Sequence, residues 1–167
     1  MIILEGIDGA GKTTICEYIN SFNGNEIHHL RFEEKYAKTF LDLIFNLKDD
    51  TILDRSYITE LVYGPIVRNF SKISDSEAEI ILEKLAKLNV KLIYLKASKD
   101  DLLKRKCEIQ EDYDLIFNYY ESLTESYDKI INVVSSKIET HTIDTSKNDI
   151  ESVKVLVKRI IRGENNE

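Results

Sequence analysis

Short apolar runs alternate with longer amphipathic stretches along the 167-residue chain, and this alternation predicts strands separated by helices. Strands that are separated by helices form a parallel sheet covered on both faces, so we predict an α/β fold. The predicted strands are residues 1–7, 26–30, 51–53, 90–95 and 141–144. The predicted helices are residues 12–22, 36–47, 56–63, 74–88, 113–133 and 150–161, with one more beginning after 98–101.

Turn-forming and capping residues set several of these boundaries. Gly64-Pro65 contains the sequence's single proline and predicts the end of the third helix, because proline lacks an N–H group. The segment from Ser74 to Glu77 has the pattern of a capping box and predicts the start of the fourth helix. Residues 1–162 are predicted to form one domain, followed by a frayed tail at 163–167.

The most specific motif lies between the first predicted strand and the first predicted helix. Residues 6–13 read GIDGAGKT and match the pattern G-x-x-x-x-G-K-[ST], here called the phosphate loop. Its glycines let backbone N–H groups turn toward a phosphate, and the helix N-terminus adds a partial positive charge. Lys12 is predicted to reach the terminal phosphates of a nucleoside triphosphate, and Thr13 to hold Mg²⁺. The predicted contacts are Gly6, Gly9, Ala10, Gly11, Lys12, Thr13 and Thr14.

Asp54 and Arg55 directly follow the third predicted strand. In a parallel sheet, the residue just past the carboxyl end of a strand faces the ligand crevice. Asp54 is therefore a candidate for organising Mg²⁺ or accepting a substrate proton, and Arg55 for clamping a phosphate. The alternative is structural: Asp54 caps the short helix that begins at Ser56, with Arg55 as its ion-pair partner.

The charge and composition of the chain limit the classes of partner that we expect it to bind. The formal net charge of −7 argues against a long nucleic-acid backbone, although local cations and a metal can neutralise the few phosphates of one nucleotide. No apolar run approaches the length of a membrane span, so we expect no membrane partner. Cys16 and Cys107 lie far apart, which predicts a reduced, cytoplasmic protein. His28 and His29 are expected to be ordinary strand residues.

The phosphate loop with its flanking residues, EGIDGAGKTT at 5–14, together with LDRSY at 53–57, resembles the thymidylate kinase family and, more loosely, the deoxynucleoside kinases. Weaker similarities are Arg31-Phe32, residues 92–98 and residues 143–146, so the resemblance spans nearly the whole chain. It implies a P-loop NTPase fold, a three-layer sandwich around a five-stranded parallel sheet of order 2-3-1-4-5.

The resemblance also implies roles for individual residues. Asp8 is similar to the acidic residue that contacts the acceptor's sugar hydroxyl, and Arg31 and Arg55 to the arginines that hold the acceptor phosphate. Residues implied near the donor adenine are Thr145, Ser146 and Lys147. Further residues assigned to the acceptor side are Phe32, Tyr57 and Arg68, of which Arg68 is equally an ordinary surface residue.

A lid is implied over the phosphates at about 104–113. Gly9 follows Asp8 in the phosphate loop, so the resemblance requires the catalytic positive charge to come from this lid. The candidates are Lys104, Arg105 and Lys106, and we take Arg105 as the catalytic one. The alternative is that these three residues form a basic face on an exposed helix.

The chain departs from the family between the Arg-Phe and Asp-Arg segments, where 33–50 leaves room for about one helix of four turns. Phe40 lies there and either stacks on the acceptor base or packs in the core, so the identity of the base stays open. We also expect a possible homodimer through the apolar positions of 80–88, although a core role explains them equally well.

These observations predict an ATP- and Mg²⁺-dependent kinase that phosphorylates a deoxynucleoside monophosphate, with dTMP as the leading acceptor. One alternative is a deoxynucleoside kinase, in which Asp54 acts as base toward a sugar hydroxyl. Another is a nucleotide-binding regulatory protein that does not turn over. Acceptors of other kinds, including bases within DNA, are disfavoured by the acidic charge.

Overall fold

A computed structural model describes residues 1–30, 36–105 and 113–164 of the chain. Five parallel strands form one sheet in the order β2-β3-β1-β4-β5, which confirms the predicted topology. The strands are β1 (Ile2–Glu5), β2 (Ile27–His29), β3 (Ile52–Asp54), β4 (Lys91–Lys96) and β5 (Glu139–Asp144).

Seven helices connect and cover the strands in the described part of the chain. Their hydrophobic faces pack on the sheet, which is why the sequence shows apolar residues at helical spacing. The helices are α1 (Lys12–Asn23), α2 (Tyr36–Asn46), α3 (Tyr57–Arg68), α4 (Asp75–Leu85), α5 (Lys99–Arg105), α6 (Tyr113–Val134) and α7 (Ile150–Arg162).

The central strand β1 is buried along its whole length. Ile3 lies opposite Leu53 of β3 on one side and opposite Leu92 of β4 on the other. A strand that is covered on both faces has no solvent side, so it reads as a continuous apolar run. The register brings the carboxyl ends of β1 and β3 to the same edge of the sheet, where Leu4 lies opposite Asp54.

The predicted helix end at Gly64-Pro65 is wrong, because α3 continues through Pro65 to Arg68. Proline removes one backbone hydrogen bond, but α3 packs against α6 along its buried face, and this packing offsets the loss. Gly64 serves close packing instead. A Cβ atom there would lie 2.9 Å from the Phe70 carbonyl oxygen, so the segment after α3 folds tightly against the helix.

The capping box at the start of α4 is confirmed, since the Ser74 hydroxyl accepts from the Glu77 backbone N–H while Glu77 accepts from the Ser74 backbone. On α4, Ile81 and Leu85 face the core, whereas Ile80 is exposed. The apolar positions of this helix are therefore mostly core positions, and homodimerisation stays a prediction.

Among the described residues, no helix is both long and apolar enough to cross a membrane. Cys16 is a buried free cysteine, while Cys107 lies outside the described residues.

Candidate active site

The phosphate loop joins the end of β1 to the start of α1, as its motif requires. Gly11 is the residue before α1 and has a φ of +99°, a conformation that side chains other than glycine rarely adopt. At Gly6 a Cβ atom would lie 2.3 Å from the Leu95 carbonyl oxygen of β4. Glycine at both positions therefore lets the loop turn closely over the sheet edge.

Lys12 curls back over the loop that precedes it. Its Nζ atom donates to the carbonyl oxygens of Gly6 (2.7 Å) and Ile7 (3.1 Å), and lies 3.4 Å from Oδ1 of Asp8. The side chain is 6% exposed. The ammonium group is thus held by oxygen atoms of the loop, next to the α1 N-terminus, where backbone N–H groups favour an anion.

Asp8 lies between this lysine and Arg55. Its Oδ1 atom accepts from the Arg55 guanidinium, and its Oδ2 atom accepts from the Tyr63 hydroxyl at 3.4 Å. Burial and the nearby Asp8 charge raise the pKa of Tyr63, so its hydroxyl keeps its proton and serves as a donor. The Asp8 carboxylate therefore contacts both Lys12, which is predicted to bind the triphosphate, and Arg55, which is predicted to bind the acceptor phosphate.

Arg55 has a positive φ of 77°, unusual for a residue with a side chain. Burial lowers the pKa of Arg55, but the surrounding acidic groups, of which Asp8 is the strongest, together offset this and keep the pKa above its ordinary value. The guanidinium is partly exposed and lines the cleft. A fixed, charged fork of this kind suits a phosphate.

Asp54 does not cap α3, because Ser56 does so, accepting from the Ile58 backbone N–H. Instead, Oδ2 of Asp54 lies 3.4 Å from the Thr13 hydroxyl and 2.8 Å from Nδ1 of His29. Its buried Oδ1 atom has no hydrogen-bond partner among the described residues. Carboxylate and hydroxyl oxygens are the ligands that Mg²⁺ takes in proteins, so Thr13 and Asp54 fit the implied ion.

Arg105 ends α5 and reaches into the same cleft. Its Nη1 atom donates to the Gly9 carbonyl oxygen at 3.0 Å, and its Nη2 atom to the Thr145 carbonyl oxygen at 2.9 Å. The residue therefore joins the phosphate loop to the loop after β5. Lys104 is exposed and pairs with Asp101 on the surface, and Lys106 lies outside the described residues, as do 107–112 of the implied lid.

These residues surround a cleft of about 680 Å³ at the carboxyl edge of the sheet. Eleven predicted residues line it: Asp8, Gly9, Ala10, Gly11, Lys12, Thr13, Thr14, Asp54, Arg55, Arg105 and Thr145. Further lining residues that we did not predict are Ile15, Ile116, Asn148, Asp149, Ile150 and Val153. The isoleucines and Val153 add apolar side chains to the lining, and such side chains suit a planar base.

Other predicted residues lie elsewhere within the described part of the chain. Tyr57 is buried with its ring 5.6 Å from that of Phe40, and both belong to the core. Arg68 forms an ion pair with the fully buried Glu60. Ser146 accepts from the Ser98 backbone N–H, and Lys147 pairs with Asp144 on the surface. Arg31 and Phe32 lie outside the described residues.

Sequence reasoning missed two polar residues at this sheet edge. In the sequence, Glu5 is a carboxylate at the end of an apolar strand, and glutamate is an unusual residue at a buried position. His29 was interpreted as an ordinary strand residue, yet its ring contacts Asp54. Their partners are distant in sequence, so local spacing carried no signal for these contacts.

No family model matches the chain. A thymidylate kinase of Campylobacter hominis is 27% identical, over 97% of this chain and 100% of that protein. The YorR protein of Bacillus subtilis, solved in complex with phosphorylated GDP, superposes with a TM-score of 0.79 at 20% identity over 99% of each chain. Deoxyadenosine kinase from M. mycoides with bound dCTP gives a TM-score of 0.61 at 19% identity, covering 98% of this chain and 100% of that one. The resemblance to the thymidylate kinases and the P-loop kinase fold are thereby confirmed.

Proposed function

We propose that this chain is a nucleotide kinase that transfers the γ-phosphoryl group of ATP to a deoxynucleoside monophosphate, with dTMP as the acceptor. The observation that carries the proposal is the convergence of Lys12 and Arg55 on the Asp8 carboxylate. Lys12 belongs to the phosphate loop, and Arg55 lies outside it. A cleft that holds both cations a few ångströms apart suits the transfer of a phosphoryl group between two phosphates.

Each cation has a distinct task in this proposal. Lys12 binds the terminal phosphates of ATP, while Arg55 holds the acceptor phosphate in line with them. Arg105 adds positive charge from the α5 end, close to the phosphate loop. Bringing several phosphates together is opposed by their mutual repulsion, so neutralisation and alignment supply most of the catalysis.

Thr13 and Asp54 would hold Mg²⁺, which neutralises charge on the donor phosphates when bound. Asp8 changes partners in the proposed cycle. When the acceptor phosphate binds Arg55, the Asp8 carboxylate is released toward the acceptor's sugar hydroxyl, the role implied by the family resemblance. The apolar side chains of Ile116, Ile150 and Val153 would receive the donor adenine.

The alternative acceptor is a deoxynucleoside, with Asp54 as the base. Two observations favour this alternative: Asp54 lines the cleft, and its buried Oδ1 atom has no hydrogen-bond partner among the described residues. In that case the Arg55 guanidinium has no acceptor phosphate to bind. A protein that binds nucleotide without turnover is the third possibility.

The test measures ADP release with Mg·ATP against a panel of deoxynucleosides and their monophosphates. We expect turnover with dTMP and none with thymidine, and Arg55→Ala should strongly lower the activity with dTMP. Turnover with nucleosides alone would overturn the monophosphate assignment and make Asp54 the base. ATP binding without acceptor-dependent ADP release would support a regulatory role.

A further inference from the structure

Glu5 is a fully buried carboxylate for which the proposed mechanism has no use. It is the last residue of β1, is 0% exposed and lies beneath the cleft rather than in its lining. Burial raises the pKa of its carboxyl group, and Ser56 and Thr59 oppose that effect through hydrogen bonds. Placing a carboxylate in the core is costly unless its oxygens are well satisfied.

Both oxygens are satisfied, and by two different sets of donors. Oε1 accepts from the backbone N–H and from the hydroxyl of Ser56, each at 2.6 Å. Oε2 accepts from the Thr59 hydroxyl at 2.8 Å and from the Tyr127 hydroxyl at 3.2 Å. One oxygen therefore holds the residue next to Arg55, while the other holds α3 and α6.

The Ser56 contact fixes the backbone of Arg55. The Arg55 N–H donates to the Leu4 carbonyl oxygen at 2.9 Å, and the following N–H, of Ser56, donates to Glu5. The peptide groups on both sides of Arg55 are thus anchored to the end of β1. Arg55 lies at a φ of 77°, a strained conformation that persists only where the surroundings hold it.

We infer that Glu5 is a positioning residue, whose Oε1 atom holds the left-handed turn that aims the Arg55 guanidinium into the cleft. The inference rests on the proposed function, because it assigns Arg55 to the acceptor phosphate. Without the anchor, the Ser56 N–H loses its bond to Glu5, and the peptide group between Arg55 and Ser56 is less restrained. Arg55 then relaxes toward ordinary backbone angles, and its side chain leaves Asp8 and the acceptor position.

The alternative to positioning Arg55 is a purely structural role, since Oε2 of Glu5 also connects β1 to Thr59 of α3 and Tyr127 of α6. Thr59→Val is the matched control for that role, because it removes a donor to Oε2 and leaves both Ser56 bonds to Oε1. A residue that merely supports packing would give similar defects in both variants. A positioning residue acts on one substrate only.

The experiment compares Glu5→Asp, Glu5→Gln and Thr59→Val with the wild type, using the KM for dTMP and the Kd for ATP. Aspartate is one carbon shorter, so it withdraws the oxygens from Ser56 while keeping the charge. Glutamine keeps an oxygen for Ser56, and its amide can donate to the Thr59 and Tyr127 hydroxyls. We expect Glu5→Asp to raise the KM for dTMP about tenfold with the Kd for ATP unchanged, and Glu5→Gln to restore it.

An equal change in Glu5→Asp and Thr59→Val, or a matching loss of ATP affinity, would overturn the inference. A crystal structure of Glu5→Asp provides a readout that does not depend on turnover. Arg55 should leave the left-handed region in that variant, and an unchanged φ would contradict the inference. Failure of the wild type to phosphorylate dTMP would instead overturn the proposed function, leaving the crystal structure to decide the role of Glu5.

Discussion

The Nδ1 atom of His29 lies 2.8 Å from Oδ2 of Asp54, so the last residues of β2 and β3 meet at the carboxyl edge of the sheet. The parallel register places the two residues directly opposite each other. Asp54 also contacts the Thr13 hydroxyl through the same oxygen. The histidine therefore restrains the carboxylate that we assign to the metal.

Replacing His29 should weaken Mg²⁺ use. Because a partly exposed hydrogen bond to a carboxylate contributes modestly, His29→Ala should raise the Mg²⁺ concentration for half-maximal activity by about threefold. Titrating Mg²⁺ at saturating ATP and dTMP gives this value. His28→Ala is the matched control, since His28 contacts Glu26 instead and should leave the titration unchanged. An unchanged titration in His29→Ala would show that the contact does not support the metal.

Removing the phosphate-loop lysine should prevent efficient transfer. Lys12→Ala takes away the buried ammonium that fits the terminal phosphates, and kcat should fall by about 10³-fold, as for other cations on a transferred phosphoryl group. Steady-state ADP release measures the effect. Lys154→Ala changes a lysine that pairs with Glu151 on α7 and should retain wild-type activity. Near-normal turnover of Lys12→Ala would contradict the phosphate-loop assignment.

Arg55→Ala should separate the two substrates. Loss of a buried charge-paired hydrogen bond costs about 2–5 kcal/mol, so the efficiency with dTMP should fall by about 30-fold or more. The Kd for ATP should change less than about twofold, because we assign ATP binding to Lys12 and the backbone N–H groups of the loop. Calorimetry with ATP and kinetics with dTMP report the two quantities. Equal losses in both would refute the acceptor role; Arg162→Ala, on the surface near Glu164, is the control.

Arg105 and Lys104 form a natural comparison at the end of α5. Arg105 reaches the Gly9 carbonyl oxygen, whereas Lys104 is 76% exposed and pairs with Asp101. We expect Arg105→Ala to lower kcat by about 10³-fold, the lower end of the effect of arginine fingers, and Lys104→Ala to have little effect. Both variants are assayed at saturating substrates. A change confined to the KM for ATP would assign Arg105 to donor binding instead of catalysis.

The buried Glu5 carboxyl should make stability depend on pH. Burial raises the pKa of Glu5 in the folded state above its ordinary value of 4.5, so the folded state binds the proton more tightly than the unfolded chain does. This contribution is fully present below the unfolded pKa and is lost as the pH rises through the folded pKa. The glutamine of Glu5→Gln cannot titrate. The free energy of unfolding of this variant minus that of the wild type should therefore be most positive at pH 8 and should fall as the pH is lowered to 4.5. Urea unfolding across this range tests the trend, and a constant difference would contradict it.

The amino-acid sequence sufficed where structure depends on neighbouring residues. Apolar periodicity predicted the strands and most helices, and the phosphate loop was recognisable because its glycines, lysine and threonine act within eight consecutive residues. The capping box at Ser74 was predictable for the same reason. Pro65 shows the limit of such local rules, because packing of α3 against α6 overrides the preference of one residue.

Contacts across the sheet edge depended on the tertiary structure. The sequence left two interpretations of Asp54, as a residue of the active site or as a helix cap. The structure distinguishes them, because Ser56 caps α3 and the Thr13 hydroxyl of α1 contacts Asp54. Glu5 meets Ser56 across 51 positions, and Arg55 meets Asp8 across 47. Such pairs form only when parallel strands bring their carboxyl ends together, since chain spacing says nothing about side chains joined through a sheet. The phosphate loop is therefore a local motif, whereas the placement of Arg55, which we assign to the acceptor phosphate, is a property of the assembled fold.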